Sequence, residues 1–304
     1  MRIGVSVPMS LSDGPGRMPT WRQVRAFGEH AEAIGLDSVW VCDHLLSGRS
    51  DGTAGDTAEG IHEGWTILAA LAASTSRVEL GQLVMCVAFR HPGLLAKMAV
   101  TADMVGGGRL ILGLGAGWYD PEHEAFGYPT DDRAGRFEEA VRIIGPLLRG
   151  ERVTMAGTYH QVRDAVLLPP PDRPIPMLVA AAGRRMLRLT ARYADAWNTA
   201  WFGPPDERLH RAVADLDLAL EAEGRDPATL RRTVGIQVRD PGAAGPGDAL
   251  GDALGAAVSG PVDELARAID AYERLGFDDL IVGLEPRTTR SLDRLAEALE
   301  LLGR

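Results

Sequence analysis

The sequence predicts an α/β fold, a (β/α)8 barrel of the TIM type carrying a hairpin insertion. Two observations predict it. Short apolar runs rich in β-branched residues alternate with amphipathic stretches along the whole chain, the pattern of parallel strands joined by helices. Eight such strand–helix units fit into about 250 residues plus insertions, the usual size of a closed barrel, within a chain of 304 residues. An open doubly wound sheet gives the same alternation, because strand count alone does not prove closure. The expectation is one barrel domain over 1–304.

Each element has its own signal. IGVSVPM (3–9) reads as the first strand. Thr20 is placed to cap a helix that runs to Ile34 and stops at Gly35. DSVWVCD (37–43) is the second strand, 46–63 a polar Gly-rich loop, 64–76 a helix and RVELGQLVMCV (77–87) the third strand. HPGLLAKMAVTADMV (91–105) is helical, with His91 at its start and Pro92 in the first turn, where a missing N–H costs little. The GGG at 106–108 ends that helix, since glycine tolerates a left-handed C-cap. RLILGLG (109–115) is the fourth strand, followed by an irregular 116–130 and a long helix over 132–149. Residues 151–170 break the rhythm: two alternating runs flank Gly157 and lead into Pro169, Pro170 and Pro171, a hairpin insertion. The alternation then resumes, with strands at 176–180, 195–200, 233–239 and 278–284 and helices at 183–194, 205–223, 261–275 and 288–302. The loops at 46–63 and 240–257 are candidate lids.

Composition narrows the function. A net charge of −10 and a pI near 5.2 argue against nucleic acid and anionic membranes, which need clustered positive charge. There is no membrane-length apolar run, and Met1-Arg2 leads straight into a strand rather than a signal peptide. Two cysteines, Cys42 and Cys86, fit a reducing cytoplasm. Lys97 is the only lysine, so arginine carries the positive charge. The expected partner is a small-molecule substrate.

The stretch GGGRLILGLGAGW (106–118) is not a dinucleotide fingerprint, because Pro121 and WYDPEHEAFG follow the strand instead of an apolar helical period. Strand alternation puts Leu110, Leu112 and Leu114 toward the outer helices and Ile111, Gly113 and Gly115 into the lumen. The missing side chains either open room for a flat ring at the C-terminal mouth or relieve crowding between strands; the pattern does not choose. Asp43-His44 ends the second strand at the rim where barrel active sites lie. Histidine is suited to proton transfer there, with Asp43 to orient it or to bind a ligand; a plain loop cap is the alternative. Cys86-Val87 ends the third strand and reads as a small buried thiol and its neighbour. VAAAGRRMLRL (179–189) passes from strand to helix through small residues, a turn that suits phosphate, with Arg184 and Arg185 adding charge; a plain tight βα turn with surface arginines is the alternative. DPEHE (120–124) offers either a carboxylate site or, as the favoured reading, a solvated first turn. No metal or nucleophile motif is evident: HExxH, CxxC, a nucleophile elbow and a P-loop are all missing.

DSVWVCDH (37–44), RHPGLLAKMAVTADMVGGGRLILGLGAGW (90–118), EHEAFG (122–127), RFEEAV (136–141) and PIPMLVAAAGRRMLRLTARYADAWN (174–198) together resemble the bacterial luciferase-like superfamily, and within it the branch that uses the deazaflavin coenzyme F420. The likeness covers about 1–200 of the chain. It implies a TIM barrel with an insertion, a homodimer, and F420 or FMN as cofactor. It implies that Asp43 and His44 lie by the ring. It implies a bulge with a non-proline cis peptide behind the ring, at Cys86-Val87. It places the cofactor phosphate at Ala181, Ala182 and Gly183, with Asn198 nearby. Where the family has a glycine run, this chain has Ala180, Ala181 and Ala182. Where the F420-dependent sugar-phosphate dehydrogenases carry a glutamate after the fourth strand, Trp118 stands here, which disfavours that reaction and leaves an apolar substrate wall. The expected activity is hydride transfer between F420 and a small, largely apolar organic substrate, with His44 exchanging the proton. Two other readings stay open: an FMN-dependent two-component monooxygenase served by a flavin reductase, and a non-catalytic cofactor-binding subunit.

Overall fold

The structure is a computed structural model that describes residues 1–14, 17–46, 60–243 and 257–304. Most of the two candidate lids, 47–59 and 244–256, lies outside the described residues. The strands are β1 (Arg2–Ser6), β2 (Ser38–Val41), β3 (Glu79–Gln82), β4 (Met85–Cys86), β5 (Leu110–Gly115), β6 (Val153–Ala156), β7 (Gln161–Ala165), β8 (Met177–Ala180), β9 (Ala196–Phe202), β10 (Arg231–Arg239) and β11 (Asp279–Glu285). The α-helices are α1 (Trp21–Ala33), α2 (Gly64–Ser74), α3 (Pro92–Val105), α4 (Asp120–Phe126), α5 (Arg133–Leu148), α6 (Arg184–Tyr193), α7 (Glu207–Ala222), α8 (Val262–Arg274) and α9 (Thr289–Leu301).

Pairing runs β3-β2-β1-β11-β10-β9-β8-β5-β4, all parallel. β3 also pairs with β5, Leu80 opposite Leu110 and Gly81 opposite Ile111, and this closes the ring. β3 and β4 form one barrel strand, so the ring has the eight strands of a TIM barrel and the open-sheet alternative is excluded. β6 and β7 form the separate antiparallel hairpin. It is docked on the barrel by Glu139 of α5, which accepts hydrogen bonds from the amides of Thr158, Tyr159 and His160 at 2.7, 2.8 and 2.9 Å.

Local chemistry sets the helix ends. Thr20 and Gln23 form a capping box on α1, and His91 accepts from the Gly93 amide to cap α3 ahead of Pro92. Gly107 and Gly108 after α3 take positive φ of 63° and 82°. One expectation fails here: 116–130 is not wholly irregular, because Pro121 sits in the first turn of the short α4, where proline is well tolerated.

The core divides as strand alternation requires. Leu110, Leu112 and Leu114 pack with the helices, while Ile111 joins Trp40, Leu178, Ala196 and Ile281 inside the barrel. Gly81 makes that packing possible, since a Cβ there would lie 2.2 Å from the Trp40 ring. Burying such side chains is worth about 1.5–3 kcal/mol each. No helix among the described residues is long and apolar enough to cross a membrane.

Candidate functional site

A cleft of about 540 Å³ opens at the C-terminal ends of β2, β4, β5, β8 and β9. Its volume is in the range of small-molecule and cofactor sites, about 300–1,000 Å³. Asp43, His44, Cys86, Trp118, Ala181, Ala182 and Asn198 line it, with Leu83, Val84, Gly117, Glu122, Ala180, Thr199, Ala200 and Trp201. Val87, Gly115, Gly183 and Arg184 do not. Val87 packs in the core between strand and helices. Gly183 takes a φ of 75° as the N-cap of α6, and Arg184 is exposed beyond it.

One wall is a bulge. From Gly81 to Met85 the third barrel strand advances four residues while β5 advances three, from Ile111 to Leu114. The extra residue lies around Leu83-Val84, whose peptide bond is cis. The cis bond is therefore not at Cys86-Val87 as expected, because Met85 and Cys86 have already resumed regular pairing with Leu114 and Gly115. A second non-proline cis bond, Ala200-Trp201, also lines the cleft. The bulge also explains the glycines of β5. A Cβ at Gly113 would lie 1.7 Å from the Gln82 carbonyl oxygen, and one at Gly115 would lie 2.5 Å from Val84 Cγ2. The glycines thus admit the bulge, and Val84, rather than open space at Gly115, faces the cleft.

Asp43 does not orient His44. Its two oxygens take a paired hydrogen bond from Arg90, at 2.8 and 2.9 Å, and Oδ2 also accepts from the Cys86 amide at 3.0 Å. Burial pushes its carboxyl up to about 6, against the pull of Arg90 and the Cys86 amide. Asp43 is an anchor between the end of β2 and the bulged strand. Arg90 reaches further to Glu63 at 2.6 Å.

The partner of His44 is Glu122. Its Oε1 lies 3.1 Å from His44 Nδ1, and its Oε2 accepts from the Leu45 amide at 2.9 Å. Asp120 and Glu124 are exposed as expected of a solvated turn, but Glu122 between them is 2% exposed, so at that position the solvated reading fails. Trp118 and Tyr119 meet the His44 ring edge-on, with centroids 5.6 and 6.4 Å away. Cys86 is the buried thiol expected; burial pushes it up to about 12, and its Sγ lies 3.8 Å from His123 Nε2. Among the described residues there is no cluster fit to hold a metal ion.

Asn198 carries a second signal that sequence reading did not give. Its Nδ2 donates to Thr233 Oγ1 at 2.8 Å, and that hydroxyl spends its single proton on the Trp197 carbonyl at 3.0 Å. The amide is therefore held one way round. Asn198 Oδ1 is buried and has no hydrogen-bond partner, an acceptor available to a ligand N–H or O–H. A buried polar atom of this kind costs about 1–3 kcal/mol unless something fills its need.

The family model described as luciferase-like monooxygenase matches residues 1–239. The chain belongs to that family. An F420-dependent glucose-6-phosphate dehydrogenase from Beutenbergia cavernae is 34% identical, over 91% of this chain and 92% of its own. A phthiodiolone/phenolphthiodiolone dimycocerosates ketoreductase from Mycobacterium tuberculosis is 35% identical, over 70% of this chain and 60% of its own. Among solved structures, an F420-dependent secondary alcohol dehydrogenase in complex with an F420-acetone adduct superposes with a TM-score of 0.81, at 19% identity, covering 98% of this chain and 97% of that one. At that identity the likeness is one of fold.

Proposed function

We propose that the protein is an F420-dependent oxidoreductase that exchanges a hydride between the deazaflavin and the carbon of an uncharged alcohol or ketone. The near full-length relationship to an F420-dependent dehydrogenase supports the cofactor. The cleft fits a deazaflavin: an apolar bulge at Leu83-Val84 to back a flat ring, the small Ala180, Ala181 and Ala182 to admit a polar tail, and the Asn198 acceptor for a donor on the ring or its side chain. F420, when bound, supplies the two-electron hydride chemistry. The protein's part is to hold ring and substrate face to face, keep water out and move one proton, for which His44 is the group at hand.

The observation that carries the substrate class is the state of the cations at the mouth. Among the described residues neither Arg nor Lys lines the cleft. Of the arginines around the mouth, Arg90 is engaged with Asp43, Arg239 with Glu285 at 2.8 Å and Arg287 with Asp13 at 2.5 Å, while Arg184 lies exposed beyond the Ala181-Ala182 turn, away from His44. Among the described residues, a substrate phosphate dianion at the His44 end of the cleft would meet no cationic side chain and would be disfavoured there. The exposed Trp118 beside His44 instead suits an apolar substrate.

The test is steady-state turnover with F420 or its reduced form, followed by the visible absorbance of the cofactor. Neutral secondary alcohols and ketones are expected to turn over, and glucose 6-phosphate is not. Turnover of glucose 6-phosphate in preference to every neutral substrate would overturn the assignment.

A further inference from the structure

We propose that Glu122 is a positioning residue: it fixes which ring nitrogen of His44 carries the proton, and so makes Nε2 the atom that exchanges a proton with the substrate. The proposal rests on the hydride-transfer reading for its consequence, but its premise is geometric.

The Glu122 side chain is 3% exposed and the His44 side chain 27%, so the carboxylate sits behind the ring and the ring faces the cleft. The Leu45 amide can only donate, and it holds Glu122 Oε2 at 2.9 Å. Oε1 is left to His44 Nδ1 at 3.1 Å, with Oε2 at 3.3 Å from the same nitrogen. A carboxylate accepts and does not donate. Nδ1 must therefore be the donor, and the neutral ring carries its proton there, with a lone pair on Nε2. Trp118 and Tyr119 stand edge-on to the ring and resist its rotation. Among the described residues, the other titratable groups near His44 do not compete for Nδ1. Asp43 is occupied by Arg90 and the Cys86 amide, Glu63 is turned to Arg90, and Cys86 lies against His123.

The chemical step follows from the tautomer. In alcohol oxidation F420, when bound, would supply the hydride acceptor, taking the electron pair of the C–H bond that breaks. The O–H bond breaks with its proton passing to Nε2, and the C=O bond forms. The ring is then imidazolium, still donating from Nδ1 to Glu122. Ketone reduction runs the same transfers backwards. With the opposite tautomer Nε2 would hold a hydrogen and accept nothing, so the geometry needs the carboxylate in place.

The experiment uses the full chain with 15N-labelled histidine. The protein has seven histidines, and the His44 resonances are identified by their loss in His44→Asn. The ring nitrogens of His44 are expected to show the Nδ1–H form in the free protein. In Glu122→Gln, which can turn an amide N–H toward the ring, that signature is expected to collapse toward Nε2–H. kcat should fall about 100-fold while KM and the F420 dissociation constant change less than about threefold. Glu122→Asp, which keeps an acceptor, should restore the tautomer and at least about a tenth of the wild-type kcat. An Nε2–H signature in the wild type, or a Glu122→Gln variant with unchanged tautomer and kcat, overturns the proposal. If Glu122→Gln does not fold, the wild-type spectrum alone decides. If the wild type turns over no alcohol or ketone with F420, the functional reading fails while the spectrum still tests the role of Glu122.

Discussion

Arg90→Met is the most informative single perturbation. Arg90 and Asp43 form a two-bond ion pair at 2.8 and 2.9 Å, with side chains 13% and 2% exposed. Methionine fills the stem of Arg90 but leaves a carboxylate buried with only the Cys86 amide as donor. Breaking a buried pair from one side costs about 3–5 kcal/mol. The bond from Arg90 to the half-exposed Glu63 adds little, as surface pairs are worth about 0–1 kcal/mol. At about 2 °C per kcal/mol for a chain of this size, Tm should fall by about 6–10 °C. The double variant Asp43→Asn/Arg90→Met removes the charge while keeping an acceptor for Cys86, and should recover to within about 2 kcal/mol of wild type. The assay is urea unfolding of the wild type and the two variants in parallel. A loss under about 1 kcal/mol for Arg90→Met would refute the reasoning, because it would class the pair with solvated ones. Since Asp43 holds the Cys86 amide beside the bulge, weaker cofactor binding should accompany the loss.

Other consequences follow from single contacts. Gly113→Ala would drive a Cβ into the Gln82 carbonyl and should cost about 3 kcal/mol by denaturant unfolding. Asn198→Leu removes the one-way acceptor and should weaken F420 binding about tenfold by fluorescence titration. Glu32, at the end of α1, is held down to about 2: burial opposes this, but the amides of Val78, Arg77 and Ser76 and the Ser76 hydroxyl outweigh it. Its contribution is complete above about pH 4.5 and is lost as pH falls toward about 2. Glu32→Gln should therefore cost about 1 kcal/mol at pH 7 and nothing near pH 2, allowing for its partial exposure. Burial pushes Cys42 up to about 11 and Cys86 up to about 12. At pH 8 iodoacetamide should alkylate both at least about 100-fold more slowly in the native than in the unfolded chain, read by mass spectrometry.

The barrel was legible because its signals are periodic. Leu110, Leu112 and Leu114 against Ile111, Gly113 and Gly115 already separate outside from inside, and Thr20, Pro92 and the glycines at 106–108 mark helix ends. Closure was not legible, since it depends on Leu80 meeting Leu110 from a different part of the chain. The rim was legible where a strand ends in unusual chemistry, as at Asp43-His44. The division of labour there was not. Sequence adjacency suggested that Asp43 serves His44, whereas a strand end turns neighbouring side chains apart and gives Asp43 to Arg90 and His44 to Glu122, 78 residues on. Glu122 stood inside EHEAFG, one of the stretches that carry the family likeness, but its charged neighbours made it look solvated. The bulge was implied by the family likeness alone and was placed three residues too late, since the likeness put it at the end of the third strand while Met85 and Cys86 resume regular pairing after it.

The central claim is that the cleft is built for a deazaflavin. The direct measurement is a fluorescence titration of the purified protein with F420 and, separately, with FMN. The account predicts saturable F420 binding that is tighter than FMN binding and weakened by Asn198→Leu. Tighter binding of FMN would contradict it and move the protein to oxygen chemistry, with a flavin reductase to serve it.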